Sequence, residues 1–137
     1  MGTVFTMILD GQIPGTFVYR DSRCAAFMSI NPLATGHVLV VPVDEIDHWV
    51  DMSAELSAHL FAVAHRIGRA QRDAFGCRRV GMIIAGYEVP HAHIHLVPTN
   101  SMEQLSFANA AATADFAELG DAAQQIVAAL STIDLLK

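Results

Sequence analysis

A stripe of apolar residues in the middle of the chain constrains the fold more than any other feature. The stripe recurs at alternating steps of four and three residues, through Leu56, Leu60, Val63, Ile67, Ala70 and Ala74. This spacing places all six on one face of an α-helix with 3.6 residues per turn. Ser53 can cap the start of the helix, and Gly76 follows its end. The pattern predicts a helix over 53–74 that buries one face against a second layer.

Short segments rich in β-branched and aromatic residues can supply that second layer. Five of them predict strands: 16–20, 24–29, 37–41, 79–85 and 91–97. The first two flank the turn at Asp21-Ser22-Arg23, which predicts a hairpin. Pro42 and Pro98 are expected to end the strands that precede them. The alanine-rich residues 105–137 predict a helical tail with one apolar side, formed by Ile126, Val127, Leu130 and Ile133.

These elements predict a single domain over residues 1–137, with its core in 3–98. The class is α+β: an antiparallel five-stranded sheet with one long helix and one C-terminal helix, both on one face. The chain is apolar enough for such a core, because 53% of its residues are hydrophobic. That share, with few charged residues, also suggests a further buried surface such as a subunit interface.

The composition and charge of the chain exclude some classes of function. The chain has 8 Lys and Arg against 14 Asp and Glu, a formal net charge of −6. Intrinsic disorder requires low hydrophobicity, and nucleic-acid binding requires a basic surplus, so both classes are excluded. Cys24 and Cys77 are too few for a disulfide framework. The N-terminus lacks the regions of a signal peptide, and no apolar run is long enough to span a membrane, so we expect a cytoplasmic location and no membrane partner.

Three of the seven histidines recur at a spacing of two, as His91, His93 and His95. On a β-strand, residues two apart point to the same face, so a strand would align the three imidazoles about 7 Å apart or less. Such an array can bind a metal ion, or it can act as a nucleophile and as an acid or base. A third interpretation is a strand without chemistry, but three polar rings on one face would be costly to bury.

This pattern, followed by two apolar residues, resembles the signature of the histidine triad (HIT) superfamily. Other segments are similar to the same family, in the right order: residues 3–27 (TVFTMILDGQIPGTFVYRDSRCAAF), residues 31–42 (NPLATGHVLVVP), Ala85-Gly86 and Val89-Pro90-His91. Together they cover most of residues 3–98. The alanine-rich tail matches nothing specific in the family.

The resemblance implies a hydrolase or transferase that cleaves a nucleoside phosphate ester, anhydride or phosphoramidate at the α-phosphate. His93 would be the nucleophile and would form a covalent nucleotidyl intermediate. His95 would stabilise the developing charge, and His91 and His37 would orient and protonate around that pair. The implied nucleotide-binding residues are Phe5, Ile8, Ile13, Phe27, Ser29, Ile30, Gly86, Tyr87 and Glu88. The resemblance also implies a homodimer whose sheet continues across both subunits, and no cofactor.

Some positions depart from the family pattern in ways that bear on metal binding. Thr3 and Thr6 stand where some bacterial members carry the Cys-x-x-Cys half of a structural zinc site. Glu45 stands where the family has a supporting histidine. Hydroxyls are not preferred zinc ligands, so we expect no structural metal.

Other departures from the family pattern affect residues that are expected to bind the substrate. Ser29 stands where the family has an acidic residue or asparagine for the ribose hydroxyls, and it is a shorter partner. The loop before Gly86 is short and lacks the phosphate-binding asparagine. Tyr87 and Glu88 stand where the family has a glutamine and a small hydroxyl residue. A carboxylate beside a phosphate is repulsive, so ordinary adenosine substrates are expected to be poor ones.

Two alternatives remain open at this stage. The altered phosphate loop could leave a nucleotide-binding or regulatory module with weak catalysis. A zinc hydrolase could instead use two of the triad histidines together with Glu88.

Overall fold

The computed structural model describes residues 2–135 and places five strands in one sheet. The strands are β1 (Phe17–Arg20), β2 (Cys24–Met28), β3 (Val38–Pro42), β4 (Arg79–Ile83) and β5 (Ile94–Thr99). Their order is β1-β2-β3-β5-β4, and each neighbouring pair is antiparallel. The edges of the sheet are therefore β1 and β4. The predicted α+β class and the five-stranded antiparallel sheet are confirmed.

Three helices accompany the sheet: α1 (Val4–Leu9), α2 (Ala54–Phe75) and α3 (Phe116–Leu135). The hydroxyl of Ser53 caps α2 by accepting a hydrogen bond from the backbone N–H of Leu56 at 3.1 Å. The helix ends at Gly76, which adopts the left-handed conformation with φ 60°. Both ends of the predicted long helix are therefore confirmed to within one residue. Among the described helices, none is long and apolar enough to cross a membrane.

Apolar cores cover both faces of the sheet. On one face, α2 and α3 pack against alternate residues of the central strands, including Ala26, Val40 and Ile94. On the other face, α1 packs Phe5, Ile8 and Leu9 against the residues of opposite parity, Ala25, Phe27, Leu39 and Val41. A six-residue helix is too short to be stable alone, so these contacts hold α1 in place. The two long helices share one face as predicted, whereas the predicted architecture placed no helix on the other face.

The first part of the histidine segment is not a strand, which corrects the prediction for 91–97. β5 begins only at Ile94. Before it, the N–H of Ala92 donates to the carbonyl of Ile46 at 2.7 Å, in the loop that follows β3. The rings of His91 and His93 also bond main-chain carbonyls. These local partners replace a strand ladder.

The other corrections concern element ends. Pro98 lies inside β5, opposite Val80 of β4. The last pair between β5 and β3 is Val38 with Leu96, so no ladder bond from Pro98 to β3 is needed. The tail helix starts only at Phe116, after two short 3-10 turns. Val127 is 43% exposed rather than buried, whereas the other predicted apolar positions of that helix are buried.

Candidate active site

Four histidines meet on the sheet face that α1 covers. His95 lies in β5 opposite Leu39, while its neighbours Ile94 and Leu96 face α2 and α3. The ring centroids of His93 and His95 are 4.8 Å apart, and those of His37 and His95 are 5.2 Å apart. Exposure is 6% or less for every member of the group, His37, His91, His93 and His95. The structure thus brings the four predicted catalytic residues together, although only His95 belongs to a strand.

A chain of hydrogen bonds fixes the proton positions on His37 and His95. The backbone N–H of Leu33 donates to Nδ1 of His37 at 3.0 Å, so this nitrogen carries no proton. Burial lowers the pKa of His37 to about 3 and of His95 to about 4, so both rings are neutral near pH 7. Nε2–H of His37 therefore donates to Nδ1 of His95 at 3.0 Å. The proton of His95 must then sit on Nε2.

This Nε2–H of His95 is a donor with no hydrogen-bond partner within 3.5 Å among the described residues, and a carboxylate oxygen of Glu88 lies just beyond that limit, at 3.6 Å. A buried donor without a partner is costly, and at a functional site it indicates a ligand that supplies the acceptor. A phosphate oxygen is such an acceptor.

His93 is held in the opposite tautomer. Its Nδ1–H donates to the backbone carbonyl of His91 at 2.7 Å. In the neutral form of the ring, the unprotonated nitrogen is therefore Nε2, which faces the same space into which His95 points its N–H. A lone pair beside a hydrogen-bond donor is what nucleophilic attack on a phosphate requires.

Glu88 reaches this space from the loop between β4 and β5. One carboxylate oxygen lies 3.5 Å from Nε2 of His93, and the other lies 3.6 Å from Nε2 of His95. The three groups are close enough to surround a metal ion. The hydrogen bonds of His37 and His95 oppose this. A metal on Nε2 of His95 would leave the His95 proton on Nδ1, so Nε2 of His37 would have to accept that proton and His37 would carry its own proton on Nδ1. Two donors would then face each other, the Nδ1–H of His37 and the N–H of Leu33, so the site suits an anion better than a cation.

A second group with possible metal ligands lies at the β1–β2 hairpin and comprises Asp21, Cys24 and His59. Asp21 already accepts hydrogen bonds from Tyr19 and His59, each at 2.7 Å, and from two backbone N–H groups. Burial raises the pKa of the Cys24 thiol to about 12, so a thiolate ligand is disfavoured. The hydrogen bonds make this group a structural element of the hairpin.

The residues predicted for the nucleoside base fall into two sets. Phe5, Ile8 and Phe27 are buried together, with Ile13 packed at their edge. The ring of Phe5 also contacts the edges of His91 and His93, at centroid distances of 5.7 and 4.9 Å. In contrast, Ile30 is 51% exposed and lies outside this buried cluster, and its part in base binding stays a prediction. Ser29 is buried, and its hydroxyl accepts a hydrogen bond from the N–H of Asn31 at 3.2 Å.

The cavity beside His93 combines predicted site residues with residues that the sequence did not predict. It has a volume of about 320 Å³, and its lining residues include Asp47, His48, Trp49, Gly86, Tyr87 and His93. Gly86 and Tyr87 were predicted, whereas the three residues from the loop after β3 were not. The single tryptophan, next to a histidine just after a strand, was the signal available for them. Phe107, from the tail, was also missed, and its ring centroid lies 5.0 Å from that of His95.

Comparisons with known proteins agree with this arrangement. A family model described as the HIT domain matches residues 10–102. The chain belongs to the HIT domain family. Among its relatives, Protein hit of Bacillus subtilis is 33% identical over 102 residues, which is 69% of either chain. An uncharacterized HIT-like protein of Mycobacterium tuberculosis is 31% identical over 113 residues, covering 79% of this chain and 78% of its own.

Solved HIT structures confirm the fold. A zinc-bound histidine triad family protein from Mycobacterium smegmatis superposes with a TM-score of 0.84 at 28% identity, over 98% of this chain and 96% of that one. A Hit-like protein involved in cell-cycle regulation from Bartonella henselae, with an unknown ligand, gives a TM-score of 0.83 at 25% identity, over 93% and 95% of the two chains. The resemblance drawn from the sequence is therefore correct at the level of family and fold.

Thr3, Thr6 and Glu45, which stand where some family members carry zinc ligands, form hydrogen bonds with one another in this HIT domain. Thr6 Oγ1 donates to Glu45 Oε1 at 2.8 Å, and the backbone N–H of Thr3 donates to the same oxygen at 2.7 Å. Thr3 Oγ1 lies 2.8 Å from Nδ1 of His91. Since hydroxyls are poor zinc ligands and these act as donors, the group does not suit a cation, and the absence of a structural metal stays our prediction.

The buried histidines predict a pH dependence of stability. In the unfolded chain a histidine titrates near pH 6.5, whereas His37 and His95 titrate at about 3 and about 4 in the fold. Between these values the unfolded chain binds protons that the native chain does not, so the free energy of unfolding falls as the pH drops from about 6.5 to about 4. Each group contributes at most about 1.4 kcal/mol per pH unit.

Urea unfolding at several pH values between 7 and 4.5 measures this slope. We expect His37→Asn to flatten it, while replacement of the exposed His65 by glutamine leaves it unchanged. Equal slopes for the wild type and His37→Asn would contradict the assignment of buried neutral rings.

Proposed function

We propose that this HIT domain cleaves a nucleoside phosphate derivative at the α-phosphate, through a covalent bond to His93. The observation that carries the proposal is the pairing of tautomers. In its neutral form His93 offers an unprotonated Nε2, since its Nδ1–H is bonded to the carbonyl of His91, while His95 offers an N–H directed into the same space. Family membership supports nucleotide binding and hydrolysis in general.

In the first step, the lone pair of His93 Nε2 forms a bond to the α-phosphorus. The bond from phosphorus to the leaving group breaks, and the leaving group departs with the electron pair and takes up a proton from water. The imidazole becomes cationic, and the carbonyl of His91 stabilises this charge by accepting the Nδ1–H. The N–H of His95 can bond a non-bridging phosphate oxygen as the charge on it develops.

In the second step, water attacks the same phosphorus from the opposite side of the N–P bond. That bond breaks, its electron pair returns to Nε2 of His93, and the water proton passes to solvent. The products are a nucleoside monophosphate and the original neutral imidazole. Splitting one displacement into two easier ones is the gain of covalent catalysis.

Two displacements at phosphorus predict retention of configuration, which gives a direct test of this route. A nucleoside phosphoramidate that carries a chiral thiophosphate would be hydrolysed in ¹⁸O-labelled water, and the product configuration determined by ³¹P NMR. Retention supports the covalent intermediate, and inversion would show that water attacks the substrate directly.

A nucleotide-binding module with weak catalysis is the second candidate, and the position of Glu88 favours it. Its carboxylate lies within 3.6 Å of both Nε2 atoms, where the phosphate would bind. The side chain is 41% exposed, so it can move away or be displaced by a ligand. As long as it stays, it repels an anionic phosphate.

Glu88→Gln should therefore raise kcat/KM on an anionic nucleoside phosphoramidate by about tenfold, or about 1.4 kcal/mol. This is a fraction of the roughly 4 kcal/mol between unit charges 4 Å apart near a protein surface, because solvent screens the half-exposed carboxylate. Glu55→Gln makes the same charge change at the exposed start of α2 and should leave kcat/KM within about twofold. A loss of kcat/KM in Glu88→Gln would show that the carboxylate assists the histidines.

The homodimer remains a prediction, and β4 is the edge that we propose for it. Exposed apolar side chains accompany this edge, with Met82 41% exposed on the strand and Phe61 58% exposed on α2. Both line the same cleft between α2 and β4. Pairing of two β4 strands would extend the sheet and cover these side chains. The small nucleotide-like partner and the cytoplasmic location likewise remain predictions.

A further inference from the structure

A network of hydrogen bonds connects the start of α1 to the histidine segment. Its members are Thr3, Thr6, Glu45 and His91, and we call it the Thr3 clamp. Thr3 caps α1, since its hydroxyl oxygen accepts a hydrogen bond from the N–H of Thr6 at 3.2 Å. Glu45 Oε1 receives two donors, the N–H of Thr3 at 2.7 Å and the hydroxyl of Thr6 at 2.8 Å. The clamp thus joins α1 to the loop after β3.

The direction of the bond between Thr3 and His91 follows from the second nitrogen of the ring. Nε2 of His91 lies 2.8 Å from the carbonyl of Pro42, which can only accept, so Nε2 carries the proton. In the neutral ring Nδ1 is then the acceptor, and the Thr3 hydroxyl donates to it at 2.8 Å. His91 is completely buried, and each of its ring nitrogens has a partner.

Two contacts carry this arrangement from His91 to His93. The carbonyl of His91 accepts the Nδ1–H of His93 at 2.7 Å, so the orientation of the His91 peptide sets the tautomer of His93. The Phe5 ring, two residues after Thr3, packs against the rings of both histidines. A shift of the start of α1 would therefore move the carbonyl of His91 and the Phe5 ring together.

We propose that Thr3 and Glu45 are positioning residues for His93, and that they act through His91 and Phe5. The proposal rests on the nucleophilic role of His93 given above. Neither Thr3 nor Glu45 is required to touch the substrate. Their contribution is to hold the ring of His93 in one orientation and one tautomer. This matters because misplacement of a reacting group by about 1 Å can cost about a hundredfold in rate.

Two pairs of variants separate positioning from folding. Thr3→Ser keeps the hydroxyl, whereas Thr3→Val keeps the shape of the side chain and loses the donor. Glu45→Gln keeps an Oε1 that can accept both hydrogen bonds, whereas Glu45→Ala removes it. A purely structural role would lower the melting temperature of Thr3→Val and Glu45→Ala but leave the folded molecules with unchanged turnover and ring protonation.

We expect Thr3→Val and Glu45→Ala to lower kcat by about ten- to a hundredfold with KM changed by less than about threefold, whereas Thr3→Ser and Glu45→Gln stay within about threefold of the wild type. The kinetics are recorded well below the melting temperature of each variant, so that all variants are folded during the assay. Equal kcat values within either pair would overturn the positioning role of that residue.

The NMR signals of ¹⁵N-labelled histidine rings test the clamp without any substrate. The wild type should show His91 protonated on Nε2 and His93 on Nδ1, and Thr3→Val should turn the His93 signal into an average of both tautomers. If Thr3→Val leaves the His93 signal unchanged, the clamp does not position that ring. If the signals behave as expected but no nucleotide substrate turns over, the proposed function fails while the clamp stands.

Discussion

Replacement of His93 by alanine is expected to lower kcat by at least about a thousandfold, the scale typical for the loss of a catalytic nucleophile. The variant keeps His37, His91 and His95, but the acceptor nitrogen of each of these rings is already occupied by a hydrogen bond. Steady-state hydrolysis of a nucleoside phosphoramidate measures the loss. His65→Ala, which removes an exposed histidine of α2 on the other side of the sheet, should stay within about twofold of the wild type.

The burial of His93 requires a second variant. The residue is 2% exposed, so alanine leaves a cavity and can lower stability. His93→Gln fills more of the space, and its amide is a far poorer nucleophile than imidazole. Both variants should bind a nucleoside monophosphate and share the same loss of kcat. Residual turnover above about a tenth of the wild-type rate in a folded variant would contradict nucleophilic catalysis by His93.

Gly36→Ala is expected to destabilise the fold by about 2–4 kcal/mol. Gly36 has φ +89°, a conformation that costs an L-residue about 1–3 kcal/mol. An added Cβ would also lie 2.3 Å from a ring carbon of Phe75, at the end of α2. The residue cannot shift freely, because its carbonyl accepts a hydrogen bond from buried Gln71 at 2.8 Å. Overpacking therefore adds to the backbone strain.

Gly11→Ala is the matched control for that experiment. Gly11 has a similar φ of +81°, but a Cβ there would meet no atom within 4 Å in the described part of the chain. Its cost should be the backbone term alone, about 1 kcal/mol. Urea unfolding of the two variants compares the values. Equal destabilisation of both would show that contact with Phe75 contributes nothing.

The sequence was sufficient for the family, the sheet and the long helix. Periodic burial in α2 and its two caps follow from local rules, so Ser53 and Gly76 fixed its ends almost to the residue. The conformation of the histidine segment was harder to predict from the sequence. Alternation predicts a strand, but His91 and His93 bond carbonyls close by, and whether a histidine bonds a carbonyl or lines a strand is decided by tertiary contacts.

The candidate site likewise contains residues that the sequence predicts and residues that only the fold reveals. Three of the four histidines follow from the motif, and His37 follows from the resemblance of residues 31–42. The cavity wall from Asp47 to Trp49 and the contact of Phe107 with His95 depend on how loops distant in sequence return to the sheet. Ile30 is 51% exposed, and its assignment to the base site, which follows from its position in the family, stays a prediction. Thr3 and Glu45 were noted for the ligands they lack. The hydrogen bond between them became visible only in three dimensions.

The most direct test of the central claim is to trap the nucleotidyl group on the enzyme. A slowly turning-over phosphoramidate would be mixed with the wild type, quenched in alkali, which preserves phosphohistidine, and analysed by intact-protein mass spectrometry. We predict a mass increase of one nucleotidyl group, which peptide fragmentation assigns to His93 and which His93→Gln lacks. An unmodified enzyme during ongoing turnover, or an adduct on another residue, would contradict the covalent role of His93.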